Sequence, residues 1–121
     1  MLDEKTRDHS VIGSDRVEGT TVYGHENKKI GTVRRILIDK VSGQARDVEV
    51  SVGAFLGIGG ELHSLPWEKL EYDTELGGYR LDVTEEQLRN APSYSEDDRD
   101  RQLDREYQSS VYSYWVVTPY W

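Results

Sequence analysis

Residues 29–67, from Lys29 to Trp67, read KIGTVRRILIDKVSGQARDVEVSVGAFLGIGGELHSLPW. Ile30, Val33, Ile36 and Ile38 carry a strand-like apolar pattern broken by Arg34-Arg35. Strict alternation fails between Val33 and Ile36, which predicts a bulge or twist. Asp39-Lys40-Val41-Ser42-Gly43-Gln44 reads as a hairpin connection, with Gly43 free to take positive φ. In the next strand Val48, Val50 and Val52 alternate with Asp47, Glu49 and Ser51, the pattern of one buried and one wet face. The following Gly53-Ala54-Phe55-Leu56-Gly57-Ile58-Gly59-Gly60 cannot be a regular helix, since each glycine would cost about 1 kcal/mol. It is equally poor as a central strand. The expectation is a loop that sets Phe55, Leu56 and Ile58 over one end of a small β-barrel. Residues 62–65 make a short strand, and Pro66, which lacks a ladder donor, belongs at its end. Trp67 is then a rim or core aromatic.

Working outward, residues 1–10 are polar and expected to be a loose tail, with Val11-Ile12 as the first apolar contact point. Residues 20–23 are β-prone, and His25-Glu26-Asn27-Lys28 is a turn. Residues 69–73 and 78–83 form a strand pair joined at 74–77. The fold class is mainly β, a barrel of about six short strands. Thr84 opens a short helix, because Thr84 and Gln87 make a capping box and Glu85 and Glu86 suit the positive helix start. Leu88 would dock on the barrel, and Ala91-Pro92-Ser93 ends the element. The barrel domain is expected over 11–94 and a C-terminal helical and aromatic extension over 95–121. Within it, residues 97–113 can be helical, with Leu103, Tyr107, Val111 and Tyr114 on one stripe. Asp97 and Arg101 fall at i,i+4 on the solvent side. Tyr112, Tyr114, Trp115, Tyr120 and Trp121 crowd the chain's last stretch.

A chain of 121 residues buries roughly two-thirds of its unfolded surface, enough for an independent core. Its charged fraction of 31% and hydrophobic fraction of 36% leave room for solvated segments. The net charge of -8 speaks against direct nucleic-acid binding, which depends on Lys and Arg neutralising phosphates. Lys28, Lys29, Arg34 and Arg35 are the best local basic group, but adjacent strand residues point to opposite faces. There are no cysteines, which excludes disulfides, thiolate metal sites and cysteine nucleophiles. No apolar run approaches the roughly 20 residues that span a bilayer. MLDEKTRDHS at the N-terminus lacks the apolar core of a secretory signal, so a cytoplasmic location is expected.

The chemistry-bearing residues form no catalytic constellation. The glycine-rich loop is followed by Glu61 and a strand, whereas phosphate loops lead into a helix N-terminus. His9, His25 and His63 are the only histidines; Glu61 and His63 alone share a strand face, too few ligands for zinc. His63 is expected at the surface or rim, where it would at most complete a weak site across an oligomer interface. No serine sits in a Gly-x-Ser-x-Gly elbow. The carboxylate pairs Glu71/Asp73 and Asp47/Glu49 alternate with apolar residues and are expected in water. No enzyme activity, cofactor or metal is expected.

Taken in order, Val22-Tyr23-Gly24, Ile30-Gly31, Ile38-Asp39, Ser42-Gly43, the FLGIGG of 55–60, Leu65-Pro66-Trp67, Leu70, Tyr72 and Gly78-Tyr79 resemble the PRC-barrel family. That family is named for the cytoplasmic barrel of the photosynthetic reaction-centre H subunit. It also includes the C-terminal domain of a ribosome-maturation factor. The resemblance covers about 11–94 and looks like the stand-alone bacterial branch with an added aromatic tail. The membrane helix of the one relative and the N-terminal domain of the other have no counterpart here, so neither function carries over. The resemblance implies a non-enzymatic adaptor or assembly module, often oligomeric, and supplies no catalytic residues.

The resulting expectation is a homo-oligomeric interaction module with an unidentified protein partner. Tyr and Trp are enriched at interface hot spots, and monomers seldom leave large apolar patches in water. The residues expected to carry contacts are Phe55, Leu56, Ile58, Trp67, Tyr107, Val111, Tyr114, Trp115, Tyr120 and Trp121. The alternatives are a ribosome- or RNA-processing-associated adaptor and a small-ligand or metal-binding protein.

Overall fold

The computed structural model describes residues 10–52 and 61–116. Seven strands build one sheet: β1 (Thr21–Tyr23), β2 (Lys29–Ile38), β3 (Ala45–Val52), β4 (Glu61–Pro66), β5 (Glu71–Asp73), β6 (Gly78–Arg80) and β7 (Ser93–Tyr94). Their order is β5-β6-β1-β2-β3-β4-β7, with β1 and β6 parallel and the other pairs antiparallel. Among the described residues three helices accompany them: α1 (Ser14–Val17), α2 (Glu85–Arg89) and α3 (Arg105–Trp115). Short 3-10 segments lie at His25–Asn27, Trp67–Lys69 and Glu96–Leu103. Seven strands agree with the expectation of about six short ones. The seventh, β7, is two residues long, which leaves no periodicity to read, and its sequence looked like a helix terminator. Among the described residues no pairing joins β5 to β7, so the sheet has two ends.

The local signals are realised where backbone chemistry alone decides them. The β2–β3 hairpin turns at Gly43 with φ +77°, and the Asp39 carboxylate accepts from the Val41 and Ser42 amides. The β2–β3 register slips between Val33 and Arg35, where alternation failed in the sequence. Thr84 and Gln87 form the reciprocal capping box of α2, and Leu88 is fully buried. Pro66 closes β4. At Gly31 an added Cβ would stand 2.7 Å from the Ser51 carbonyl oxygen, so close packing of β2 on β3 requires glycine there.

One core holds the sheet and the C-terminal segment together. Val22, Val33, Val48, Val50, Leu62 and Leu65 are buried from the sheet side, and Tyr107, Val111, Tyr112 and Trp115 from α3. This corrects three expectations. Residues 97–113 are not one helix: a 3-10 segment kinked at Asp98 gives way, through extended Asp104, to α3. The acid-rich run offers backbone groups competing carboxylate partners, which disfavours regular helix. The interruption resets the helical phase. Leu103 is therefore 57% exposed; within α3, Tyr114 is 39% exposed, while Tyr112 and Trp115 join Tyr107 and Val111 on the inner side. Arg101 pairs with Asp98 rather than Asp97.

The wet face of β3 is also corrected. Asp47, Glu49 and Ser51 are as buried as the valines between them. The arm formed by Glu96–Leu103 and α3 supplies hydrogen-bonding partners to Asp47 and Glu49. His63 is buried too, against the expectation of a rim position. Ile38, expected as part of the apolar pattern, is exposed at the end of β2.

Candidate functional site

A group of buried polar side chains lies under the arm. Glu49, central on β3, accepts from the Tyr94 hydroxyl at 2.6 Å and from Arg99 Nε at 3.0 Å. Arg35, opposite Glu49 on β2, stands 3.5 Å from the same carboxylate and donates to Gln102 Oε1 at 3.1 Å. Fully buried Gln102 donates in turn to Ser64 Oγ at 3.0 Å. The Tyr107 hydroxyl accepts from the Ser64 amide and donates to the Pro92 carbonyl. That carbonyl also faces His63 Nδ1 at 3.2 Å; a carbonyl can only accept, so Nδ1 carries the proton. Further along, Tyr112 donates to Asp47 Oδ1 at 2.9 Å.

The bulge explains how Arg34 and Arg35 both serve the arm. Strict alternation would have put them on opposite faces, but Arg34 reaches Glu96 at 2.7 Å while Arg35 reaches Glu49 and Gln102. An extra residue in one strand breaks the alternation locally.

Burial governs the electrostatics. It pushes the Asp47 carboxyl upward, against the opposing pull of the Tyr112 hydrogen bond and Arg46. It pushes His63 down, so the imidazole is held neutral. Desolvation raises Tyr94, reinforced by Glu49, and lifts Tyr107 to about 12. The hydrogen bonds to Glu49 hold Arg99 upward and charged. Carboxylate, guanidinium and phenol are thus committed to one another in a seam that clamps the arm to the sheet. Among the described residues, no group of three or more His, Asp or Glu is placed to hold a metal ion.

The second feature is a half-open cleft of about 670 Å³ where α1 and its preceding residues face the Trp67–Lys69 turn and the β5–β6 hairpin. Trp67, Leu70, Tyr72 and Tyr79 form its apolar wall, and Arg16 and Thr74 add polar groups. Trp67 and Tyr72 each meet Tyr79 edge-on, with centroids 5.4 and 5.2 Å apart. Val11 and Ile12, expected as the first apolar contact, instead stand in solvent at the cleft's mouth.

The residues expected to carry contacts are dispersed. Trp67 is half-buried at the cleft. Tyr107, Val111 and Trp115 pack inward from α3. Tyr114 lies partly exposed, its hydroxyl donating to the Gln87 carbonyl at 2.7 Å. Phe55, Leu56, Ile58, Tyr120 and Trp121 lie outside the described residues, as does His9. The reading of the residues missed the Glu49 seam, because its partners sit far apart in the chain. The only available signal was the surplus of Tyr and Gln on the arm, polar groups able to cap a buried carboxylate.

A family model described as the PRC-barrel domain matches residues 9–88. The chain belongs to the PRC-barrel family. The match stops within α2, so the PRC-barrel model does not reach β7 or the arm. The comparison with curated proteins returned no match. Among solved structures, the PRC-barrel chain is similar to one whose description reads 16S ribosomal RNA processing protein RimM, from Pseudomonas aeruginosa. The identity is 15%, with 70% of this chain and 50% of that chain covered and a TM-score of 0.41. The chain therefore spans about half the length of that protein. No helix among the described residues is long and apolar enough to cross a membrane.

Proposed function

We propose that this PRC-barrel chain is a non-catalytic assembly module that associates with a second copy of itself through the outward side of its C-terminal arm. One observation carries the reading: the arm leaves large apolar side chains exposed after supplying its share of the core. Tyr107, Val111, Tyr112 and Trp115 are spent on the core, while Leu103, Tyr114 and Val116 remain exposed just before the Tyr120-Trp121 end of the sequence. Exposed apolar side chains that gather into a patch mark protein contacts, and Tyr is enriched among the anchors of such contacts. The buried titratable groups support the non-catalytic part of the reading, since Glu49, Asp47 and His63 are each hydrogen-bonded to other groups of the fold.

Light scattering on the full chain and on Leu103→Glu tests this. The expected result is a dimer or larger assembly for the full chain and a monomer for the variant, with unchanged far-UV circular dichroism. Raising the salt concentration should favour assembly, because it screens repulsion between copies of net charge -8. A full chain that stays monomeric at its highest soluble concentration overturns the reading.

A further inference from the structure

The cleft beside α1 has a composition that the proposed assembly role does not use. Its volume of about 670 Å³ lies inside the range of roughly 300–1,000 Å³ typical of small-molecule sites. Such sites combine an apolar lining with a few polar groups that orient the ligand. Here the wall is Trp67, Leu70, Tyr72 and Tyr79, and the edge-on ring contacts hold the aromatic surfaces in place. Tyr79 is buried, so its ring is a fixed floor, not a mobile flap.

Arg16 supplies the second, independent observation. Arg34, Arg35, Arg46, Arg80, Arg89, Arg99 and Arg101 each pair with a carboxylate at 2.5–3.5 Å. Arg16, on the four-residue helix α1, makes no ion pair among the described residues, in a chain with 23 acidic side chains. It lines the aromatic cleft instead.

We infer that this cleft is a binding site for a small organic carboxylate with a flat apolar body. The ring system would lie against Trp67, Tyr72 and Leu70, and the carboxylate would meet the Arg16 guanidinium. Charge chooses among ligand classes. Aromatic walls also attract organic cations, but Arg16 opposes a cation, and among the described residues no acidic side chain lines the cleft. A phosphate dianion calls for more than one cation, and among the described residues Arg16 is the one cationic side chain lining the cleft. Val11 and Ile12, apolar and exposed at the mouth, would cover the ligand's outer edge.

Calorimetric titration of the full chain with 3-indolepropionate, and with its neutral amide 3-indolepropionamide, tests the inference. The expected result is saturable binding of the acid at one site per chain and binding of the amide about tenfold weaker, the scale of one charge-assisted hydrogen bond. Arg16→Gln should bring the acid down to the level of the amide and leave the amide unchanged. Because Arg16 is exposed, this variant should melt at the wild-type temperature, which separates lost binding from lost folding. Tyr72→Ala should weaken both probes. Absence of saturable binding at millimolar concentration, equal binding of acid and amide, or an unaltered Arg16→Gln titration would each overturn the site. The result is independent of assembly, because Leu103→Glu leaves every cleft residue in place.

Discussion

Glu49 shows how a residue's neighbours, not its type, set its role. On an isolated strand it would be an ordinary solvated carboxylate; here it has no exposure and is met by Tyr94, Arg99 and Arg35. Removing one member of a buried pair strands the others and typically costs about 3–5 kcal/mol. Arg99 and Arg35 keep roughly a third of their side-chain surface in water, so they can rehydrate. Glu49→Ala is therefore expected to cost about 2–3 kcal/mol, no more than the low end of that range, as read by urea denaturation. Two other buried ionisable groups, His63 and Asp47, act in opposite directions with pH. His63 is held below its ordinary value of 6.5, so the unfolded chain takes up a proton first as pH drops. Stability should thus fall from about pH 6.5 towards the lowered His63 value, and His63→Gln should flatten that limb of the profile. Asp47 is held above its ordinary value, so its ionised form is a burden to the fold at neutral pH. Asp47→Asn, which keeps an acceptor for Tyr112, should raise the urea midpoint at pH 7. That gain should vanish as pH falls through the folded-state Asp47 value, where the wild type becomes neutral as well.

Elements differ in how far their own sequence accounts for them. The α2 helix is only five residues long, yet its capping box is complete and it sets Leu88 into the core. Thr84→Ala should cost about 1 kcal/mol in chemical denaturation, the usual loss for an N-cap hydroxyl. The β2–β3 hairpin follows equally from its own residues: a turn glycine, an Asx acceptor at Asp39 and a break in alternation at Arg34-Arg35. Gly31→Ala would press a methyl group onto the Ser51 carbonyl and Val50, and should destabilise by about 1–3 kcal/mol, measured by thermal melting. The arm is the contrary case. Its apolar residues suggested one continuous stripe, but the carboxylate-rich run breaks the helix and resets its phase. Which of its side chains turn inward is decided by the surface it meets.

For the molecule as a whole, the arm is a structural part of the core although the family match ends at residue 88. A chain stopped at residue 94 would lose Tyr107, Val111, Tyr112 and Trp115 from the core, each a side chain whose burial is worth roughly 1.5–3 kcal/mol. That total is comparable with the roughly 5–15 kcal/mol by which an ordinary domain is stable. The shortened chain is expected to be largely unfolded or to melt far below the full chain, as followed by circular dichroism. The sequence by itself determined the β character, the β2–β3 hairpin and its bulge, the capped α2 and the family, because turns, caps and alternation depend on residues close together in the chain. Only the tertiary structure decided that Asp47, Glu49 and His63 are buried, that Arg34 and Arg35 both reach residues of the arm, and that Arg16 faces an aromatic cleft. The reason is range: Glu49 and Arg99 are separated by 50 residues, and alternation along β3 reports two faces without saying what will cover either.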